Sequence, residues 1–286
     1  MALSPRVREA LVLVGVFVAF LGALALYTQN WPPAVIVESG SMMHADREVT
    51  YGRFGTIDPG DLVLVKSVDS LDDVTTRAEG GRDRYGYPGD VIVYYRMNDR
   101  TRTPIIHRAV AYVEVNAGEY DVRWSDDAPC EGGATKIQRG GRSWCHYGRD
   151  GILIPSMGVR GGLGAGNEDI GYKPTRNGFI TKGDNPVTNQ AIDQITMPDV
   201  RQPVPLEWLE GKARGELPWL GLLKLALAAK PNQDNPPEAW VKIGSAYAPK
   251  DLWVMLGVSL FLLVGAPLLY DAWKALRARR EERGRR

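Results

Sequence analysis

Two stretches of the chain are apolar without a break, and short β-rich segments lie between them. Leu11–Tyr27 and Leu252–Tyr270 contain no charged residue. About 20 helical residues cross the hydrocarbon core of a bilayer, so each run is long enough to be a transmembrane helix. Thr28-Gln29-Asn30-Trp31-Pro32-Pro33 is a poor small-x-small cleavage site, so the first run reads as a retained anchor and not a removable leader. Trp253 and Tyr270 lie where interfacial aromatics are expected. Between the runs, short β-rich segments stand between turn residues: Val35–Val37, Leu62–Lys66, Val91–Tyr95, Ile105–Val115 and Phe179–Lys182. Two of them follow the same turn, Pro59-Gly60-Asp61 and Pro88-Gly89-Asp90. Repeated turn chemistry feeding strands predicts an antiparallel β-domain and not alternating β and α units.

The remaining segments are less regular. Residues 67–87 are polar and charged and read as a surface loop. Residues 116–177, rich in Gly, Asp and Arg, read as an irregular insertion with some structure of its own, because a loop of that length is unusual in a compact domain. Trp219–Lys230 is a short apolar helix interrupted by Lys224, suited either to the membrane interface or to packing on the domain. Residues 231–238, rich in Pro and Asn, link it to the second run. The expected organisation is a cytoplasmic N-terminus (1–10), an anchor (11–29), a domain (30–220), an interfacial helix and linker (221–250), a second span (251–271) and a basic tail (272–286).

Charge orients this arrangement. The 286 residues are 44% hydrophobic and 24% charged, which excludes a disordered chain, and a net charge of +1 excludes a strongly basic nucleic-acid binder. The basic residues gather at the ends: Arg6 and Arg8 before the first run, and Lys274, Arg277, Arg279, Arg280, Arg283, Arg285 and Arg286 after the second. The middle is slightly acidic. Basic flanks stay on the cytoplasmic side, which predicts a plasma-membrane protein with both termini inside and Asn30–Asp251 outside. Cys130 and Cys145 fall in that outer segment, either as a local disulfide or as two free thiols. A zinc site is not supported, because only His146 is nearby and the spacing is wrong.

Candidate chemistry begins at Ser39-Gly40-Ser41-Met42, a turn ending the first strand. A serine nucleophile needs a neutral imidazole as its base. His107 lies on a strand and could be rigidly held; its bland alternative is a satisfied strand histidine. His44 falls in a mobile loop three residues from Ser41, too close to turn back, and His146 reads as surface. Asp184 in Gly-Asp-Asn reads as an Asx-type turn and Asp193 as a solvated carboxylate, and spacing alone does not choose between them as the group orienting a base.

Taken in order, Ser39-Gly40-Ser41-Met42, Pro59-Gly60-Asp61-Leu62-Val63, Pro88-Gly89-Asp90-Val91-Ile92-Val93, Ile106-His107-Arg108 and Thr181-Lys182-Gly183-Asp184-Asn185, behind a membrane anchor, resemble the type I signal peptidase family. The matched boxes cover most of Val35–Leu220. Histidine at position 107, where bacterial-type members carry lysine, resembles the archaeal and endoplasmic-reticulum branch. The resemblance implies a mainly β catalytic domain, Ser41 as nucleophile and His107 as general base. It places the acidic residues at Asp184 and Asp193, with Asp193 as third triad member and Asp184 serving structure or charge. The two are nine residues apart with Pro186 between them, wider than the family pattern. Ser39 resembles in placement a hydroxyl oxyanion donor of some members; its alternative is only to shape the turn. The implied partners are secretory preproteins cut after small residues, the bilayer and the translocation machinery, with no nucleic acid, no metal and no organic cofactor. Strands such as Val91–Tyr95 would supply shallow apolar pockets. Two departures stand out: Met43-His44-Ala45-Asp46 replaces an acidic residue and proline, and 116–177 is additional. Two alternatives remain, an inactive β-domain acting as a structural or binding subunit, and a lysine base at Lys182.

Overall fold

A computed structural model describes residues 4–44, 52, 54–159, 171–234 and 236–284. Ala45 and Asp46, the 160–170 part of the insertion, and Arg285 and Arg286 of the tail lie outside the described residues.

Two long apolar helices bracket a mostly antiparallel β-structure. Helix α1 covers Pro5–Thr28; the Ser4 hydroxyl caps it by accepting the Val7 N–H, and Pro5 fits the first helical position, where no N–H is needed. Its side chains Leu11 through Val18 are largely exposed, so the helix meets no protein over most of its length. Its end is fixed: Thr28 is buried, its carbonyl accepting the Ser67 N–H at 2.8 Å. The second helical run begins with α4 (Lys250–Leu260), widens to a π turn at Phe261–Gly265 and continues as α5 (Ala266–Gly284). Pro267 cannot donate to the carbonyl four residues back, and the widened turn directly precedes it. Val7–Thr28 and Lys250–Arg280 are each long and apolar enough to cross a membrane.

The main sheet is built from β1 (Ala34–Ile36), β2 (Leu62–Lys66), β5 (Val91–Tyr94), β6 (Ile105–Asn116), β7 (Glu119–Arg123), β8 (Thr135–Arg139), β9 (Arg142–Tyr147), β10 (Gly178–Lys182) and β11 (Leu209–Leu217). A two-residue pair, β3 (Asp83–Arg84) and β4 (Tyr87–Pro88), precedes β5. Neighbours run β1-β2-β11-β5-β6-β7-β9-β8, with β10 also on β6, and every pairing is antiparallel. Both Pro-Gly-Asp turns precede their strands as expected: Gly60 and Gly89 have φ of 92° and 89°, which favours glycine. Strand β6 organises the domain. Its first half pairs with β5, its middle with β10 and its end with β7. Its register with β10 slips by one residue between Ala111↔Ile180 and Ala109↔Thr181.

Two expectations change, and a third, left between two alternatives, narrows to one of them. Residues 67–87 are not merely a surface loop. Val74, Thr76 and Ala78 are buried, and the Arg77 and Ala78 N–H groups donate to the Ala109 and Val110 carbonyls at 2.9 Å, because the edge of β6 still has acceptors to fill. The stretch read as irregular insertion carries β7, β8 and β9, which extend the main sheet; Trp124, Trp144 and Tyr147 bury their rings there. Alternation is weak in this stretch because its many Gly and charged residues mask short strands. The apolar segment near 219–230 packs on the domain. Its helical part is only α3 (Leu222–Ala226), whose Leu222 and Leu225 are buried with Ala246, Ala248 and Leu252. Beyond it, residues 231–248 are not a bare link but end in a hairpin, β12 (Val241–Ile243) with β13 (Ala246–Ala248).

Candidate active site

Three separate segments meet at Ser41. Strand β1 delivers the turn. The Met43 N–H donates to the Gly40 carbonyl at 3.1 Å, closing the turn around Ser41. His107 sits in the first half of β6, opposite Ile92 of β5. Asp193 opens α2 (Asp193–Thr196), a single turn after the Gly-Asp-Asn box.

The side chains form one line. Ser41 Oγ lies 2.9 Å from His107 Nε2, and His107 Nδ1 lies 2.7 Å from Asp193 Oδ2. The ring is 2% exposed and Asp193 is fully buried. Two hydroxyls donate to the same carboxylate oxygen: Thr181 Oγ1 at 2.6 Å and Tyr94 OH at 3.0 Å. Gln194 holds Thr181 from both sides, its Oε1 accepting the Thr181 N–H and its Nε2 donating to the hydroxyl, each at 3.2 Å. Asp193 Oδ1 is buried with no hydrogen-bond partner among the described residues. Burial pushes the Asp193 carboxyl up, but the charge and hydrogen bond of His107 and the two hydroxyls outweigh it and hold it below its ordinary value. Burial, then the Asp193 charge, pushes the Tyr94 phenol well up, so Tyr94 stays a donor.

The reading of Asp193 as a solvated carboxylate is therefore wrong. The α2 turn folds it inward under β5 and β10, where three donors replace water. Local sequence gives Thr181 and Tyr94 no role beyond their strands. Register was the missing signal: Tyr94↔Ile105 and Thr181↔Ala109 place both on the face of β6 that carries His107.

Arg108, the next residue, faces the other way and takes Asp184. Its Nε donates to Oδ1 at 2.8 Å and its second terminal nitrogen to Oδ2 at 2.5 Å. The remaining guanidinium hydrogens go to the Arg84, Tyr87 and Gly89 carbonyls at 2.9, 3.0 and 2.6 Å. Burial raises the Asp184 carboxyl, but Arg108 and His44 together hold it low. Asp184 is thus an ion-pair partner and not merely an Asx turn. His44 does not reach Ser41. Its Nε2 lies 3.3 Å from Asp184 Oδ2 and its ring packs against Tyr87, so His44 itself is held. His146, read as surface, is half-buried and bonded to Asp121 at 2.8 Å.

The same box supports the turn that carries Ser41. Asn185 donates from its side chain to the Gly40 carbonyl at 2.8 Å and from its backbone to the Ser41 carbonyl at 2.9 Å. Gly183 permits this approach, since a Cβ there would stand 2.6 Å from the Ser41 carbonyl oxygen. Ser39 Oγ donates to Ser41 Oγ at 3.2 Å. Lys182, the alternative base, donates to the Gly183 carbonyl at 3.2 Å, and register with Arg108 puts it on the face away from His107. Burial lowers its amine. Cys130 and Cys145 form a disulfide that ties the chain before β8 to β9. Among the described residues no group of three or more His, Cys, Asp or Glu is arranged to hold a metal ion.

A serine hydroxyl, a buried imidazole and a buried ionised carboxylate in line can carry out nucleophilic acyl transfer. Comparison with known proteins returned no matching family model, no matching curated protein and no matching solved structure.

Proposed function

We propose that the chain is a membrane-bound serine endopeptidase of the signal-peptidase type, removing signal peptides from secretory preproteins. The observation that carries this reading is the Ser41–His107–Asp193 line, with contacts of 2.9 and 2.7 Å, on a β-domain flanked by two helices able to cross a bilayer. In the proposed reaction His107 Nε2 takes the Ser41 proton as Oγ attacks the scissile carbonyl. Asp193 holds the Nδ1–H and balances the imidazolium that forms. The proton passes to the leaving amine, and the acyl group remains on Ser41. Water, deprotonated by His107, then releases the acid and restores the serine. The Ser41 N–H and the Ser39 hydroxyl, turned from Ser41 Oγ, would receive the oxyanion. The basic ends support a domain outside the plasma membrane with both termini in the cytoplasm, and the disulfide fits an oxidising compartment.

The test is cleavage of a preprotein by membranes carrying the full chain. The parent should release the mature protein, and Ser41→Ala and His107→Ala should each lose nearly all turnover. Cleavage by both variants at the parent rate would mean that this site is not the enzyme's.

A further inference from the structure

The chain beyond the main sheet returns to the nucleophile. Trp240 lies just before β12 and is 7% exposed, packed with Met43 and with the partly buried Tyr247. Its indole edge presses on Gly40. A Cβ built at position 40 would stand 3.0 Å from Trp240 Cη2, 3.1 Å from Cζ2 and 3.2 Å from Met43 Sδ. Asn185 grips the Gly40 and Ser41 carbonyls. The Gly40 carbonyl, which lies in the peptide unit joining Gly40 to Ser41, accepts from the Asn185 side chain and from the Met43 N–H, so that unit is restrained by two hydrogen bonds and by a flat apolar ring. That unit carries the Ser41 N–H, and its rotation would move both this donor and Oγ.

The ring is itself anchored. Asn232 Nδ2 donates to the Glu38 carbonyl at 2.7 Å and to the Tyr247 carbonyl at 3.0 Å, and its Oδ1 accepts the Tyr247 N–H at 2.7 Å. One side chain thus joins the hairpin to the segment leading into Ser41. At the other end Trp253 of α4 donates from Nε1 to the Val241 carbonyl at 3.1 Å. A continuous series of contacts runs from the second apolar helix through the hairpin to the nucleophile turn.

We propose that Trp240 is a positioning residue for Ser41, and that the hairpin before the second apolar helix belongs to the catalytic unit and is not only a tether. This deepens the peptidase reading and rests on it for its kinetic arm. The demand is geometric: an attacking oxygen and an oxyanion donor must be held to within fractions of an ångström, and loosening a support away from the chemistry can cost on the order of ten- to hundredfold in rate.

The experiment uses the full chain in membranes or detergent, as parent, Trp240→Ala, Trp240→Phe and Asn232→Ala. The first readout is the rate at which a fluorophosphonate phosphonylates Ser41, its oxygen displacing fluoride from phosphorus, together with kcat and KM for a preprotein. Trp240→Ala should slow phosphonylation and lower kcat on the order of tenfold, with KM changed less than about twofold, and Trp240→Phe should recover most of the rate. The second readout is amide hydrogen exchange across Glu38–Met43, which needs no activity: exchange should quicken in Trp240→Ala and return toward the parent in Trp240→Phe. If Trp240→Ala does not fold, Asn232→Ala, which frees the hairpin from Glu38, should show the same two changes at smaller size. A folded Trp240→Ala with parental phosphonylation and parental exchange overturns the proposal. A parent that neither reacts nor cleaves sinks the peptidase reading instead, and the exchange readout then decides alone whether Trp240 holds the turn.

Discussion

Asp193 and Asp184 are nine residues apart on one segment, both buried, and both are carboxylates held below their ordinary pKa. Their surroundings differ. Asp193 meets an imidazole and two hydroxyls on one face of β6, whereas Asp184 meets a guanidinium on the other. The difference begins with two adjacent residues. His107 and Arg108 point to opposite sides because consecutive strand residues do, and each draws one aspartate. An imidazole can take a proton at one ring nitrogen while the other stays bonded to a carboxylate, so the Asp193 side can move charge. Arginine keeps its proton, so the Asp184 side stays a fixed pair and serves as structure.

The sharpest break of this contrast is Asp193→Asn. An amide donates where the carboxylate accepted, so it favours the wrong tautomer of His107 and no longer balances the imidazolium. Under the proposed reaction, turnover should fall by about 10³–10⁴-fold with the fold retained, as measured by preprotein cleavage alongside thermal unfolding. A fall of less than about tenfold would mean that Asp193 is not the orienting carboxylate.

Asp184→Asn should do the opposite, costing stability before chemistry. It leaves the Arg108 charge buried with one hydrogen-bonded partner weakened, and breaking such pairs typically costs about 3–5 kcal/mol, readable by denaturant unfolding. Activity per folded molecule should fall far less than in Asp193→Asn. The acid limb adds a check. Because the folded pKa of Asp184 lies below the unfolded value of 3.8, its contribution is present above that pH and is lost as the pH falls through the folded value. The parent should therefore lose stability below about pH 4 more steeply than Asp184→Asn does.

What could be read from the sequence was local. The strands around Leu62–Lys66, Val91–Tyr94 and Phe179–Lys182 show as short runs rich in apolar and β-branched residues, and the two turns at Asp61 and Asp90 show by their glycines, which have positive φ. Ser41, His107 and both aspartates stood out by residue type and order. Their partners did not. Thr181 and Tyr94 reach Asp193 only once three strands are in register, and register is a long-range property that local pattern does not carry. Trp240 was hidden for a related reason: its neighbours 231–238 have the composition of a linker, and only its docking on Gly40, two hundred residues earlier, gives it a place. Strands β7 to β9 were obscured by the turns and charges that separate them.

A third buried carboxylate extends the comparison, because its partners are not cations. Asp61 Oδ1 accepts the Trp219 N–H and Oδ2 the Asp58 N–H, both at 2.8 Å. Burial, opposed by those two bonds, carries its pKa from 3.8 up to about 8. Here the sign reverses. Between about pH 4 and pH 8 the folded chain keeps a proton that the unfolded chain has released, so this group's stability is present at low pH and lost as the pH rises toward 8. Asp61→Asn should remove that decline, since an amide does not titrate. It should also lower the melting midpoint at pH 6, because one amide oxygen cannot serve both N–H groups, and an unsatisfied buried donor costs about 1–3 kcal/mol. Melting curves from pH 5 to pH 9 would then cross or converge at the alkaline end. Equal slopes in parent and variant would mean that Asp61 is ionised throughout. In that case two backbone N–H groups stabilise a buried carboxylate as effectively as His107 or Arg108, and charge partners would not be what separates these three sites.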